Sequence, residues 1–508
     1  MSAPLTRLIQ GVARRHRPPT VPRDEWRSRV DTLLRVLEPD VPLSGDPTAH
    51  RQRLVAVLDR SGTAETWLAL AVLSGRLPTA SDVVVARRRS QLEGSAAVLS
   101  AAHSTATPAS ARRHVDVVIG RTLVDMGDLV LYPLGTGIQR VAREVGRAWR
   151  ARPEALAVGW TAAMDALVPL DDAARDAALN LAPRSEIARG GQPRRTRERV
   201  VVPWRGTYVL PELAIQPRRC AALQALAEHS PTRCGVIGFD CVPLTSPETS
   251  ARGFAAVFAL NLAAVAHFDR VVAISDAAAT EYRGWTRMLG GAGLPGPEVR
   301  PLVLPEHAPQ ASDQDLERAR RRFVVADLPL VLCVGSHEPR KNHLAVLHAA
   351  ELLWRKGLRF SLTFVGGNSW NSEDFRATLK RLISEGRPVE SVSRLDDAML
   401  WAAYRLARCT VFPSLNEGFG LPVAESLSAG TPAITSRFGS MAEISGGGGA
   451  LLVDPRDDGD LAAALERLLV DDELHGRLTA EARERPATGW EQYAAELWRL
   501  MHEDGTPG

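Results

Sequence analysis

Between residues 24 and 100 apolar residues recur at helical spacing, in WRSRVDTLLRVL, RLVAVLDR and ETWLALAVLSGRL, with few β-branched runs between them. That period predicts a small helical unit. Roughly residues 100–112, rich in Ala, Ser and Thr, read as a linker. From His114 the texture changes: short apolar runs, VDVVIG, ALAVGW, TYVLPE, CGVIGFD and RVVAIS, alternate with helical stretches such as GIQRVAREVGRAW. The longest apolar run, residues 253–266, predicts a buried helix, being too short to span a bilayer. After the proline-containing PLVLPEHAP and a charged helix near 313–322, a second alternation begins with LVLCVG, SLTFVGG, SVS, CTVFP, PAITS and ALLVD. Strands alternating with helices predict mostly parallel sheets, hence an α/β chain with two doubly wound domains in series. The expected segments are 1–112, helical; 113–328, the first α/β domain; 329–488, the second; and 489–508, a terminal helix.

A chain of 508 residues with 45% hydrophobic and 24% charged residues is folded and holds several cores. Its formal net charge of +3 argues against a nucleic-acid partner. Arginines are nevertheless dense in APRSEIARGGQPRRTRER, residues 182–199, which read as a loop. With the basic N-terminus, Arg184, Arg189, Arg194, Arg195, Arg197 and Arg199 either attract anionic lipid headgroups, which would place the chain peripherally at the inner face of the plasma membrane, or form a merely solvated loop. Five cysteines without a CxxC pair, and no signal-peptide pattern, point to buried thiols in a cytoplasmic protein.

In open α/β sheets ligands bind beyond the carboxyl ends of the strands, and four constellations lie there. In PSLNEGFGLPVAESLSAGTP, Leu421 to Ala429 reads as a helix with Pro422 in its first turn. Gly418, Phe419 and Gly420 then stand at a helix N-terminus, where free N–H groups favour a phosphate or sugar oxygen. Glu417 on the loop and Glu425 one turn into the helix can face one cleft and accept hydroxyl pairs, so a nucleotide sugar is the natural ligand. The alternative is a turn residue and an exposed helix residue with an arginine partner. In VGSHEPRKNH, Arg340 and Lys341 stand at a helix start, which is unfavourable unless an anion such as a diphosphate binds between them; a solvated pair reaching an acidic residue is the other possibility. Lys341 is one of only three lysines. In LYPLGTGIQRVARE, Gly135 and Gly137 precede a helix, either as a turn close to the ligand or as an ordinary strand–helix turn. Asp240 ends the strand VIGFD and could orient a sugar hydroxyl, accept a proton or cap a turn. Asp396 and Asp397 read as helix caps, and no metal site is required.

These residues resemble the retaining glycosyltransferases of family 4, which have the GT-B fold: two Rossmann-like domains facing a cleft. The resemblance covers roughly 114–502, and its signature is E-x7-E, here Glu417 to Glu425 within NEGFGLP and AGTP. It implies that Glu417 contacts the transferred hexose, Glu425 the ribose, Arg340 and Lys341 the diphosphate, and the amides from Gly418 to Leu421 the sugar and phosphate. Gly137 matches the glycine loop of the acceptor-side domain, and Asp240 lies by the donor sugar. The EPRKN form is similar to bacterial mannosyl- or rhamnosyltransferases of polysaccharide assembly, which favours GDP-mannose as donor and a glycan or lipid-linked acceptor, with no metal. Many relatives carry His-Asp where this chain has Phe239 and Asp240, so one histidine contact is missing. The rival expectations are a nucleotide-sugar epimerase on the same fold and a non-catalytic scaffold.

Overall fold

A computed structural model describes residues 21–43, 46–132, 136–181, 198–393 and 395–503. The chain forms two compact units. One takes the residues up to Val130, Glu154–Tyr208 and Gln216–Arg233; the other takes Leu131–Pro153, Val209–Ile215 and the residues from Cys234 onward.

In the first unit the helical period becomes five helices, Arg23–Leu37, Pro47–Asp59, Thr63–Ser74, Ala80–Glu93 and Ala96–Thr105. Their ends reflect local chemistry. Asp46 caps the second through the Thr48 amide with Pro47 in its first turn, and Thr79 and Asp82 form a capping box on the fourth. The third is buried from Thr66 to Ser74 and forms the middle of the bundle. The expected linker is a correction: its first half belongs to the helix Ala96–Thr105, which buries Val98, Leu99 and Ala102 against Thr63–Ser74, and Ser110–Arg112 form a 3-10 turn. Small residues suited to a linker here serve close helix packing.

Arg29 ties this bundle to the segment that enters the first sheet. Fully buried, it pairs with Glu25 at 3.3 Å and donates to the carbonyls of Leu73, Ser110 and Arg113 at 2.9, 2.8 and 2.6 Å. The strands of this unit are β1 (His114–Ile119), β2 (Thr122–Asp125), β3 (Ala155–Trp160), β4 (Leu167–Pro169) and β5 (Arg199–Trp204). They lie in the order β1-β5-β4-β3-β2, parallel except that β4 runs against both neighbours. β2 and β4, of four and three residues, are too short for a period to reveal. Next in the chain comes β6 (Thr207–Leu210).

The second unit contains the parallel neighbours β7 (Arg233–Gly238), β8 (Arg270–Ala273) and β9 (Glu298–Pro301). It also contains a six-stranded parallel sheet of β10 (Leu330–Val334), β11 (Ser361–Val365), β12 (Val389–Val392), β13 (Cys409–Phe412), β14 (Ala433–Ser436) and β15 (Ala450–Val453). Its order is β12-β11-β10-β13-β14-β15, the doubly wound arrangement whose direction reverses between β10 and β13. Side chains alternate along β10: Val331 and Cys333 join Leu362, Phe364 and Val411 in one core, while Leu330 and Leu332 pack with Trp401 and Tyr404 in the other. The loops that leave β10 and β13 therefore open at one crevice. The terminal helix Trp490–His502 packs on β8 and on the helix Gly137–Trp149, with Trp149 Nε1 donating to the Ala494 carbonyl at 2.8 Å.

The apolar run at 253–266 is a helix, Phe254–Val265, but not a buried one. Phe258, Leu262 and Val265 face the core, whereas Ala256, Ala259, Leu260 and Ala263 are exposed. All five cysteines are buried free thiols. Among the described residues no helix is long and apolar enough to cross a membrane. Gly135, the basic N-terminus and the arginines from Arg184 to Arg197 lie outside the described residues; Arg199 opens β5 and pairs with Asp116 at 2.5 Å.

Replacing Arg29 by Ala takes one buried donor from Glu25 and from three carbonyls, a loss of about 3–5 kcal/mol. Amide exchange should accelerate across residues 23–112 and stay unchanged in β10–β15. Unaltered protection in the bundle would contradict this role.

Candidate functional site

The loop after β10 begins with a close approach that fixes its path. A Cβ on Gly366 would lie 1.9 Å from the Gly335 carbonyl oxygen, so the loops after β10 and β11 pass at glycine-only distance. Pro339–Lys341 then make a single 3-10 turn, and Asn342, in the left-handed region at φ 58°, leads into the helix His343–Arg355. Arg340 and Lys341 thus precede the helix rather than standing in its first turn. They are not solvated. Arg340 Nη1 and Lys341 Nζ each lie 2.6 Å from a different oxygen of Glu417, whose side chain is 9% exposed. Arg340 also donates to the Asn416 carbonyl at 2.7 Å, Ser414 Oγ donates to Glu417 Oε1 at 2.7 Å, and the Lys341 ammonium lies 4.9 Å over the Phe412 ring.

This cluster controls ionisation. Burial alone would raise the Glu417 pKa; Arg340 and Lys341 outweigh it and hold the carboxyl at about 2. Burial lowers the Lys341 pKa against the pull of Glu417. Nearby His343 is buried, no partner meets either of its ring nitrogens among the described residues, and burial pushes it down to about 3, so it is neutral at any working pH.

Past Glu417 the chain turns through Gly418, Phe419 and Gly420 into the helix Leu421–Ser428, as the Pro and Gly punctuation predicts. Gly420 is the N-cap residue at φ 103°, which disfavours any side chain there, and it offers no side-chain cap. Among the described residues no acceptor meets the amides of Gly418, Phe419, Gly420 or Leu421, although the first three residues are buried. The first amides of a helix have no acceptor within it, so consecutive unpaired ones beside glycines at a helix N-terminus suit an anion or a hydroxyl. Buried Ser275 and Ser440 hold the loop from behind, donating to the carbonyls of Gly418 and Glu417 at 2.5 and 2.8 Å.

Glu425 is buried one turn into this helix, not exposed. It accepts the Tyr404 hydroxyl at 2.8 Å and is ion-paired with Arg140 from the helix Gly137–Trp149. At the start of that helix Gly137 comes close to the site: a Cβ there would be 3.2 Å from Leu421 Cδ1. Asp240 follows β7 and accepts the Val242 amide at 3.1 Å. It lies beside Gly418, where a Cβ would be 3.0 Å from Asp240 Oδ2 and only 2.2 Å from the Phe239 carbonyl oxygen, so no other residue fits at 418 without displacing backbone. Burial raises the Asp240 pKa to about 6; Arg340 opposes the rise while Glu281 and Glu417 add to it.

The fold thus gathers Asp240, Arg340, Lys341, Glu417 and Gly418 at one end of the loop, and Gly137, Leu421 and Glu425 at the other. Sequence reasoning missed Arg140, Tyr404, Ser275, Glu281 and Ser440. Nothing in the spacing joins residue 140 to residue 425. Among the described residues no three His, Cys, Asp or Glu side chains are grouped to hold a metal ion.

A family model, Glycosyl transferases group 1, matches residues 316–485. The chain is 29% identical over 245 residues to the serotype-specific mannosyltransferase WbdA of Escherichia coli, covering 47% of this chain and 29% of that protein. It is 34% identical over 161 residues to the O-antigen chain mannosyltransferase B of Escherichia coli, covering 32% and 42% respectively. It therefore spans less than half the length of these two relatives. Among solved structures, Anabaena Alr3699/HepE in complex with UDP and glucose is similar at a TM-score of 0.53 and 15% identity, over 75% of this chain and 99% of that one, a likeness of fold. Residues 316–485 thus match the glycosyl transferase group 1 model, and the chain has the GT-B fold with an N-terminal helical region.

Proposed function

We propose that this chain is a retaining glycosyltransferase of family 4 that moves a hexose from a nucleotide-sugar donor to a glycan or lipid-linked acceptor. The observation that carries it is the row of unpaired amides from Gly418 to Leu421, bracketed by the carboxylates of Glu417 and Glu425 and adjoined by Arg340 and Lys341. Amides and cations suit a diphosphate, and flanking carboxylates suit hydroxyl pairs on either side of it. The mannosyltransferase names of two relatives favour mannose, and with the EPRKN form they favour GDP-mannose as donor.

The donor finds its receptors occupied by one another. Glu417 holds both cations, and Arg140 and Tyr404 hold Glu425, so binding exchanges internal pairs for pairs to ligand. In the reaction the bond between the anomeric carbon and the diphosphate oxygen breaks while the acceptor oxygen bonds to that carbon from the same face. The acceptor's proton passes to the departing phosphate oxygen. Arg340, Lys341 and the loop amides oppose the charge growing on the diphosphate, which acts on the transition state more than on the bound substrate. Asp240, ionised above about pH 6, orients a hydroxyl of the transferred sugar in the place where relatives offer a histidine as well. A non-catalytic scaffold is the second reading, favoured by Phe239 at that histidine's position.

A panel of nucleotide sugars scored by thermal shift tests the proposal: GDP-mannose at a hundred times its Kd should stabilise the fold by about 2.7 kcal/mol. Failure of every nucleotide sugar to raise Tm removes the donor site, and binding without transfer to any acceptor selects the scaffold.

Lys341→Met should lower kcat about a hundredfold, the loss of roughly 3 kcal/mol of charge stabilisation. A rate within twofold of the wild type would exclude Lys341 from the reaction.

Because folding raises the Asp240 pKa above its ordinary value, the stability it confers is complete at pH 3 and declines as pH rises through about 6. Asp240→Asn should therefore be more stable than wild type at pH 8, by about 3 kcal/mol, and equally stable at pH 3, while transfer activity is lost. Equal melting of the two proteins at pH 8 would show that Asp240 ionises without hindrance.

A further inference from the structure

Asp240 and Glu417 reach the site from different strands, β7 and β13, and a mechanism that uses both needs their spacing held. One side chain touches the neighbour of each. Glu281, in the helix Asp276–Gly291, accepts the Cys241 amide through Oε2 at 2.6 Å, and Cys241 comes directly after Asp240. Through Oε1 it accepts the Asn416 side-chain amide at 3.4 Å, and Asn416 precedes Glu417. Thr245 closes the ring: its hydroxyl lies 3.4 Å from Glu281 Oε1 and accepts from Asn416 Nδ2 at 3.0 Å. The same helix is fixed at its other contacts. Its N-cap Ser275 donates to the Gly418 carbonyl, and Glu443 accepts both the Asp276 and Ala277 amides at 3.0 Å.

We propose that Glu281 is a positioning residue of the transfer reaction, a carboxylate clamp that holds Asp240 at a set distance from Glu417 and Gly418. The inference rests on the reading of Asp240 as the group that faces the donor sugar. Glutamate differs here from an uncharged tie because its charge also acts on Asp240. The charged groups facing Asp240 are Arg340 on the Pro339–Lys341 turn, Glu417 on the loop after β13 and Glu281 itself; the Cys241 thiol and Tyr282 phenol nearby are neutral, since burial raises both. Removing one negative charge from this set favours the ionised form of Asp240 at lower pH.

Glu281→Gln keeps an acceptor for the Cys241 amide and removes the charge, whereas Glu281→Ala removes both. For the glutamine variant the expected result is an acid limb of the kcat–pH profile displaced to lower pH, with donor KM within about twofold of wild type. The alanine variant should lose about tenfold in kcat with glutamine restoring most of it, which a fold defect would not do. A direct readout needs no turnover: the infrared band of a protonated carboxyl that disappears in Asp240→Asn should titrate at lower pH in Glu281→Gln than in wild type. If that midpoint stays where it is, the clamp is overturned, whatever the kinetics. If wild-type protein transfers from no nucleotide sugar while the midpoint moves, the transferase reading fails and Glu281 remains the residue that sets Asp240.

Discussion

The pairing of Glu417 with Arg340 and Lys341 is the constraint on which the site depends. A carboxylate at this depth is tolerable only with cations beside it, and two cations as close as these are tolerable only with an anion between them. Each partner comes from a loop that leaves a central strand of the six-stranded sheet, β10 for the cations and β13 for the acid. The ion cluster therefore pins the two loops across the reversal point of the doubly wound order. It holds the ammonium and guanidinium at the carboxyl ends of these strands, paired with Glu417.

The remaining ties enclose this cluster. Ser275 and Ser440 fasten the carbonyls of the glutamate loop, Arg140 reaches Glu425, and Glu443 sits on the first amides of the helix Asp276–Gly291. Except for the Ser440 bond, which stays within the region after β13, each joins a segment near β7 and β8 or the glycine-loop helix to that region. Internal charges thus satisfy one another, and an anionic ligand at this place would compete with them.

The alternation of strand and helix, the glycine pair before Leu421 and the two glutamates eight apart were legible because all are short-range features: a period, a turn, a helix N-terminus. The order β12-β11-β10-β13-β14-β15 was foreseeable only as a class, since parallel strands pair far from their neighbours in sequence. β4, of three residues, carries no period. The Ala/Ser/Thr stretch near residue 100 has the composition of a linker and the packing of a helix, because only contact with Thr63–Ser74 decides between them. The same reasoning explains Arg140 and Glu281. A surface-looking arginine in TGIQR and a glutamate in a helix have no local mark of their roles, which arise from partners 285 and 135 positions away.

Four successive amides without an acceptor among the described residues hold free energy in reserve at one point of the native chain. A ligand that satisfied them would lower the folded state and leave the unfolded ensemble untouched, so the lifetime of this polypeptide against proteases would lengthen with the supply of that ligand.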